Sequence, residues 1–421
     1  MNDMFYLIKS FYKRNTKILK NLSLMSVFSF ADLVMPLISF PYRARVLGID
    51  NFGTLILIQI FFVYLCLIID FGFNISGLRL IAVNKENNEI ISKTYSSIII
   101  IKTLIGVFVY LIALQFFIYI YPDPNFVSYF NLSSGVLFGQ IFFARWLFQG
   151  LDDFKSLVII SLISKSIFTI LIFVLLKDEN DLNTALIIHS IGGVLLGLFS
   201  VIIVFFKYKI KIVIPKFSYL INVWTDSSKV FWSLLISNFY LNLTPIFLDK
   251  FLGKSDVAFY GIADKLIQVM KMSYNVITQV TFPTISNLMS KNINDGVNYT
   301  INSIKISVIL PTLLFILTLF YGEYFIVIIF GNQYLGASIY LKIMSILPLI
   351  CSLSSFSLNG LYSLKLDHYI TKILGIGLFV FILSFFIMSK LNISIFLIFP
   401  IILTELVISI LAFRKLISFK K

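Results

Sequence analysis

The sequence predicts an all-α polytopic membrane protein, with 12 transmembrane helices in two six-helix lobes related by a pseudo-two-fold axis along the membrane normal. Three observations carry this expectation. Of 421 residues, 59% are hydrophobic and 13% are charged, against ~25% charged in an average soluble domain, and the mean hydropathy is +0.96. The apolar residues fall in continuous runs close to the ~20 residues that a helix needs to cross a bilayer, without the alternation of an outer-membrane barrel. The runs divide into two halves that carry matching local motifs. A soluble enzyme, a disordered chain and a secreted disulfide scaffold are thereby excluded.

The elements follow in order. Residues 1–21 form a basic segment (Lys9, Lys13, Arg14, Lys17, Lys20) with interfacial apolar residues such as Phe5, Leu7 and Phe11. No short apolar core with a small-residue cleavage site follows, so no cleavable signal is expected. An N-lobe at 22–206 holds six spans at about 22–42, 52–72, 96–121, 127–150, 156–176 and 183–206. The longest connection, 207–228, carries Lys207, Lys209, Lys211 and Lys216. A C-lobe at 229–413 holds six more, at about 229–249, 256–288, 300–321, 337–362, 370–389 and 392–413, before a basic tail at 414–421. Loops are short and marked by turn residues such as Tyr121-Pro122-Asp123-Pro124. Segment 322–336, bounded by Gly331 and Gly336, is expected as a partly embedded outer loop. An even span number per half makes the repeats parallel. Arg45-Val46-Leu47-Gly48 with Phe52-Gly53 in the first half matches Lys250-Phe251-Leu252-Gly253 with Tyr260-Gly261 in the second.

Charge orients the chain. The formal net charge is +14, but the basic residues flank apolar runs, so no nucleic-acid partner is expected. With the N-terminus inside, 23 Lys and Arg fall on inner loops and flanks and six on outer loops, which places both termini in the cytoplasm. Cys66 and Cys351 lie within apolar runs and read as small buried side chains. There is no Walker A sequence, no dinucleotide fingerprint and no metal-ligand spacing, so no cofactor or metal is expected. Gly135-x-x-x-Gly139 and Gly193-x-x-x-Gly197 are helix-packing pairs.

Ionisable residues inside spans are costly and should face protein or a wet cavity. On span eight Asp264, Gln268, Lys271, Asn275 and Gln279 recur every three or four residues and share one face. A cavity wall is the favoured reading, and an internal salt bridge is the alternative. Lys265 points ~100° away from Asp264. Arg145, Gln149 and Asp152 repeat the pattern on span four, and Lys165 lies too deep in span five to reach the interface. Lys102 and Lys342 lie near span ends and are expected to snorkel. Asp32 beside Pro36, Asp70 and Glu405 are candidates for ion coupling or gating, with structural ion pairs as the alternative. His189 reads as a satisfied polar side chain.

The stretch Phe40-Pro41-Tyr42-Arg43-Ala44-Arg45-Val46-Leu47-Gly48-Ile49-Asp50-Asn51-Phe52-Gly53 resembles the first-loop signature of the Wzx-type O-antigen and polysaccharide-unit flippases. These belong to the polysaccharide transporter branch of the multidrug/oligosaccharidyl-lipid/polysaccharide exporter superfamily. Asp70-Phe71-Gly72-Phe73-Asn74 with Arg79 is similar to the end of their second span, and Tyr260-Gly261-Ile262-Ala263-Asp264-Lys265 opens span eight. The resemblance implies a transporter, not an enzyme, in the bacterial inner membrane. It would carry an undecaprenyl-diphosphate-linked oligosaccharide from the cytoplasmic to the periplasmic leaflet by alternating access, driven by an H⁺ or Na⁺ gradient. Membrane lipids, an O-antigen polymerase and a chain-length regulator are the implied partners. Arg45, Arg145, Lys165, Lys265, Lys271, Gln268 and Asn275 are then candidates for holding the diphosphate and sugars, because Arg and Lys make charge-assisted hydrogen bonds to phosphate. An O-antigen polymerase, a multidrug/cation antiporter of the same superfamily and a structural membrane protein are the alternatives. Short outer loops disfavour the first, a basic interior the second and the cost of buried charge the third.

Overall fold

A computed structural model of the chain describes residues 16–119, 121, 123–364, 366–390 and 397–420. Among these residues it is helical throughout, without strands. The helices are α1 (Thr16–Asp70), α2 (Phe73–Val83), α3 (Asn88–Tyr119), α4 (Asn125–Ser133), α5 (Gly135–Phe142), α6 (Arg145–Gly150), α7 (Phe154–Leu175) and α8 (Leu182–Phe206). They continue with α9 (Phe217–Phe251), α10 (Lys254–Lys291), α11 (Ile293–Ser307), α12 (Ile309–Phe330), α13 (Ala337–Met344), α14 (Leu347–Ser363), α15 (Asp367–Lys390) and α16 (Phe399–Ile417). Eight stretches among the described residues are long and apolar enough to cross a membrane, including Met35–Val83, Asn88–Tyr119 and Ile293–Phe330. The chain is therefore a multi-pass membrane protein by length and composition.

Contacts divide the chain into two compact units. The first comprises residues up to Leu47 together with Phe61–Trp232, and the second Gly48–Ile60 together with Ser233–Lys421.

In the first unit α5 and α8 cross at the two glycine pairs. A Cβ on Gly139 would lie 2.2 Å from the Gly193 carbonyl oxygen, and one on Gly135 would lie 2.2 Å from Ser190 Oγ. Only bare backbone permits that approach, as the x-x-x spacing leads one to expect. Span four is broken where a single helix was expected. The Ala144 N–H donates to Ser200 Oγ of α8 (3.0 Å) and not to its own helix. Phe143 is extended (φ −74°, ψ 101°), and α6 restarts at Arg145. The corner after α1 uses two left-handed residues, Phe71 (φ 46°) and Gly72 (φ 81°). Phe71 is held there by stacking on Trp224 (4.1 Å) and Phe231 (4.7 Å).

In the second unit the repeated motif becomes a crossing. Gly48 (φ 69°, ψ 175°) and Gly253 (φ 100°, ψ −179°) each break a helix in a conformation that side chains avoid. Just beyond them, a Cβ on Gly53 would lie 2.0 Å from the Lys254 carbonyl oxygen and one on Gly261 would lie 2.3 Å from Ile56 Cδ1. The second half of α1 and the start of α10 therefore press together at the glycine of each motif. Prolines locate further interruptions. Pro311, which lacks an N–H for Ser307, follows the break between α11 and α12, and Pro348 follows the break between α13 and α14. Segment 322–336 departs from expectation: 322–330 continues α12 without interruption until Gly331 (φ 100°) ends it, because nothing in Tyr321–Phe330 stops a helix.

Candidate functional site

Part of the polar stripe expected on span eight comes together on α10. Gln268 Nε2 donates to Asp264 Oδ2 at 2.7 Å, and Lys265 Nζ reaches Gln268 Oε1 at 3.5 Å. Spacings of three and four residues put these groups on adjacent turns. One turn further, Lys271 interacts with Asp264, with the Cys351 thiol of α14 and with Glu405 of α16. Tyr274 closes the group, interacting with Ser355, Cys351 and Glu405. Glu405 is 7% exposed and Cys351 5%. Three helices of the second unit thus bring an ammonium, two carboxylates, an amide, a phenol and a thiol together in a core of Ile, Leu and Phe. The arrangement can hold one anionic group against Lys271, or one proton or small cation against Glu405 and Asp264. Asn275 on the same helix is exposed, and the side chain of Gln279 lies outside the described residues.

The other expected site residues lie elsewhere. Arg145 is the first residue of α6, half-buried, with its guanidinium over the Phe28 ring at 5.1 Å. Lys165 is half-buried on α7, and Arg45 is exposed at the end of the first half of α1. The Asp32 side chain lies outside the described residues. Asp70 is paired: its Oδ1 lies 3.3 Å from Lys102 Nζ and accepts from Asn74 Nδ2 at 2.8 Å. Lys102 does not snorkel; it is 1% exposed and also donates to the Gln140 carbonyl at 3.2 Å. The helix break explains this. The Gln140 carbonyl has lost the Ala144 N–H as its partner, and the lysine ammonium takes that place. Lys342 instead meets Glu323 at 2.5 Å on the surface. The expected stripe of Arg145, Gln149 and Asp152 does not form, because α6 ends at Gly150 and Asp152 turns away (φ 59°) to pair with Lys85 at 2.7 Å.

A second polar cluster lies outside the spans. Asp153 caps α7 through the Ser156 N–H (3.2 Å), accepts from Lys207 Nζ at 2.6 Å, and binds the Tyr208 hydroxyl. Burial opposes its charge, but the hydrogen bonds from Lys207, Ser156 and Tyr208 outweigh burial and hold the carboxyl below its ordinary range. Burial, with Asp153 adjoining, pushes the Tyr208 phenol upward.

Sequence reasoning missed Cys351, Tyr274 and Ser355. Tyr274 was detectable as the next residue of the α10 stripe. Cys351 and Ser355 are small residues in an apolar run, and nothing in their own spacing says which helix they meet.

A family model described as polysaccharide biosynthesis protein matches residues 18–289. The chain belongs to this family. A candidate O-antigen transporter of Shigella dysenteriae is 30% identical over 341 residues, covering 80% of this chain and 84% of that protein. A second, of Escherichia coli strain K12, is 26% identical, covering 80% and 81%. The fold is shared with solved transporters. An inward-facing multidrug resistance MATE family transporter of the MOP superfamily superposes with a TM-score of 0.76 at 13% identity, covering 95% of this chain and 99% of that one. The lipid II flippase MurJ in an inward closed conformation gives 0.74 at 15%, covering 94% and 90%. This family member is therefore a membrane transporter, and the polymerase alternative falls away, since the curated relatives are named as transporters.

Proposed function

We propose that this protein is a flippase for a lipid-linked oligosaccharide, the undecaprenyl-diphosphate-linked O-antigen repeat unit. It moves the unit from the cytoplasmic to the periplasmic leaflet of the inner membrane. In this reading 12 spans form two six-helix lobes, with both termini in the cytoplasm, and the lobes rock to expose the site to one side and then the other. The diphosphate is drawn to cations that have no competing place in water, and the sugars to neighbouring amides and hydroxyls, while the isoprenoid tail stays in lipid.

The observation that carries the reading is the α10 stripe. Lys271 interacts electrostatically with Cys351, Glu405 and Asp264 on helices of the second unit. Such a set is costly in a membrane interior and suits a protein that exchanges an anionic cargo against a proton or sodium ion. Lys271, Lys265, Gln268 and Asn275 are assigned to cargo, with Arg145, Lys165 and Arg45 as further cations along its path. Glu405, Asp264, Asp70 and Asp32 are assigned to ion coupling or gating. An O-antigen polymerase and a chain-length regulator act downstream as partners.

The test is complementation. In a strain lacking its own transporter, a plasmid copy restores surface polysaccharide, and Lys271→Ala and Arg145→Ala abolish it while the protein remains in the membrane. Full polysaccharide in both variants refutes the cationic path.

A further inference from the structure

The connection 207–216 of the first unit lies where a membrane-length stretch ends. It leaves α8 at Phe206, the last residue of Glu179–Phe206. Lys207 is tied to Asp153 at the start of α7, and Lys209 turns the chain with a left-handed backbone (φ 52°). The chain then runs along α3. The Lys211 N–H donates to Ser92 Oγ at 3.3 Å and the Val213 N–H to Ser96 Oγ at 2.9 Å. Two residues of extended chain advance about 6.6 Å, close to the ~6 Å that four helical residues rise. Residues 211–213 are therefore extended and parallel to α3. The chain then turns back, because the hydroxyls of Tyr219, in the first turn of α9, and of Thr94 share a hydrogen bond at 2.8 Å.

These contacts rank the residues by depth. The apolar run of α3 begins at Ile98-Ile99-Ile100-Ile101. At ~1.5 Å per residue, Ser96 lies about 3 Å outside this run and Ser92 about 9 Å. Val213 and Ile214 therefore reach the edge of the hydrocarbon. Lys211 stays at the height of the headgroups, a layer about 5–8 Å thick on each side of the bilayer. The side chains follow the same order. Ile212 is 72% exposed and Ile214 92%, and two residues apart on extended chain they share a side. Phe217, Ile221 and Trp224 are also exposed and recur at helical spacing on one face of α9. Lys209 and Lys211 before this apolar tip, and Lys216 after it, are exposed. No ion pair among the described residues includes any of the three, and 207–225 contains no Asp or Glu.

We propose that 209–224 is a docking surface for anionic phospholipid. Ile212, Ile214 and Phe217 enter the acyl boundary, and Lys209, Lys211 and Lys216 meet headgroup phosphates. Depth selects lipid over a soluble acidic protein, because the exposed isoleucines stand level with the start of the α3 apolar run. Charge selects anionic over zwitterionic lipid, because three neighbouring lysines face the surface without a carboxylate, and each adds to the attraction to a negative leaflet. Apolar residues on one side and lysines on the other suit a segment lying in the interface, and Trp224 suits the same level. The surface is separate from the α10 stripe, and the inference stands whether or not the proposed cargo is correct. Bound there, the lipid would hold the start of α9 at the membrane surface.

The full chain, purified in detergent, is melted with added phosphatidylglycerol or with phosphatidylcholine of the same acyl chains. Phosphatidylglycerol should raise Tm by about 3 °C more, in a saturable way. The triple variant Lys209→Gln, Lys211→Gln, Lys216→Gln should weaken its apparent affinity about a hundredfold. The triple variant Lys291→Gln, Lys305→Gln, Lys372→Gln removes as much charge at exposed positions of the second unit and should leave that affinity unchanged. All six lysines are exposed, so both variants should fold. In vesicles containing phosphatidylglycerol, a nitroxide on Ile214→Cys should collide with lipid-dissolved oxygen more than with a water-soluble nickel chelate. The unsubstituted chain, labelled in parallel, gives the background from Cys66 and Cys351. Equal stabilisation by the two lipids, equal losses in the two triple variants, or a label that faces water would overturn the surface.

Discussion

Replacing Lys102 with methionine should destabilise the protein by about 3–5 kcal/mol, although the wild-type pair itself contributes little net stability. The arithmetic starts from the 3.3 Å separation of Lys102 Nζ and Asp70 Oδ1, with the two side chains 1% and 9% exposed. At an effective dielectric constant of 20 this distance corresponds to an attraction of about 5 kcal/mol. Dehydrating both ions costs a similar amount, so the pair nearly breaks even against apolar residues. Methionine keeps the volume and removes the attraction, leaving the Asp70 carboxylate dehydrated and without its counter-charge, with the Asn74 amide still donating to it. It also leaves the Gln140 carbonyl without the ammonium that replaces its lost helical partner, at a further cost of about 1 kcal/mol. The double variant Asp70→Asn, Lys102→Met removes the stranded charge and should recover most of the loss. Thermal unfolding in detergent, arranged as a double-mutant cycle, reads the coupling directly. A Lys102→Met protein as stable as wild type, or a double variant no better than the single one, would refute a buried pair.

Three further outcomes follow from particular contacts. Gly139→Ala should cost about 1–3 kcal/mol by forcing α5 and α8 apart, whereas Gly375→Ala, inside α15 with nothing within 4 Å of the added methyl, should raise Tm slightly through the better helix propensity of alanine. Because the Asp153 carboxyl is held below its ordinary value, its contribution to stability is present above the usual carboxylate range and is lost as pH falls through the folded value. Asp153→Asn should therefore lower Tm at neutral pH and flatten its fall in acid, as followed by melting curves across pH 3–7 at about one-unit steps. Glu405→Gln should leave the protein folded but make transport insensitive to the imposed ion gradient, measured as polysaccharide export with and without a protonophore or sodium.

Much of the helical content was legible because period and hydropathy are local properties. The α10 stripe could be read because all its members lie on one helix, and spacing alone puts them on one face. The glycine pairs of α5 and α8 could be read for the same reason. Contacts between helices could not. Asp70 with Lys102 and Lys271 with Glu405 each join residues far apart in sequence, and a lone charge in an apolar run does not declare its partner. The break at Ala144 was invisible because no proline or glycine causes it; a serine on another helix captures its N–H. In 322–336 the flanking glycines suggested a loop, but only Gly331 adopts the left-handed conformation that ends a helix.

The most direct measurement is translocation by the purified protein. Vesicles containing it are loaded with an undecaprenyl-diphosphate-linked oligosaccharide, and an impermeant lectin or glycosidase reports the sugars that change leaflets when a proton or sodium gradient is imposed. The account predicts gradient-dependent transfer with the wild-type protein and none with Lys271→Ala. No transfer above that of empty vesicles under either gradient, or equal transfer by the variant, would contradict it.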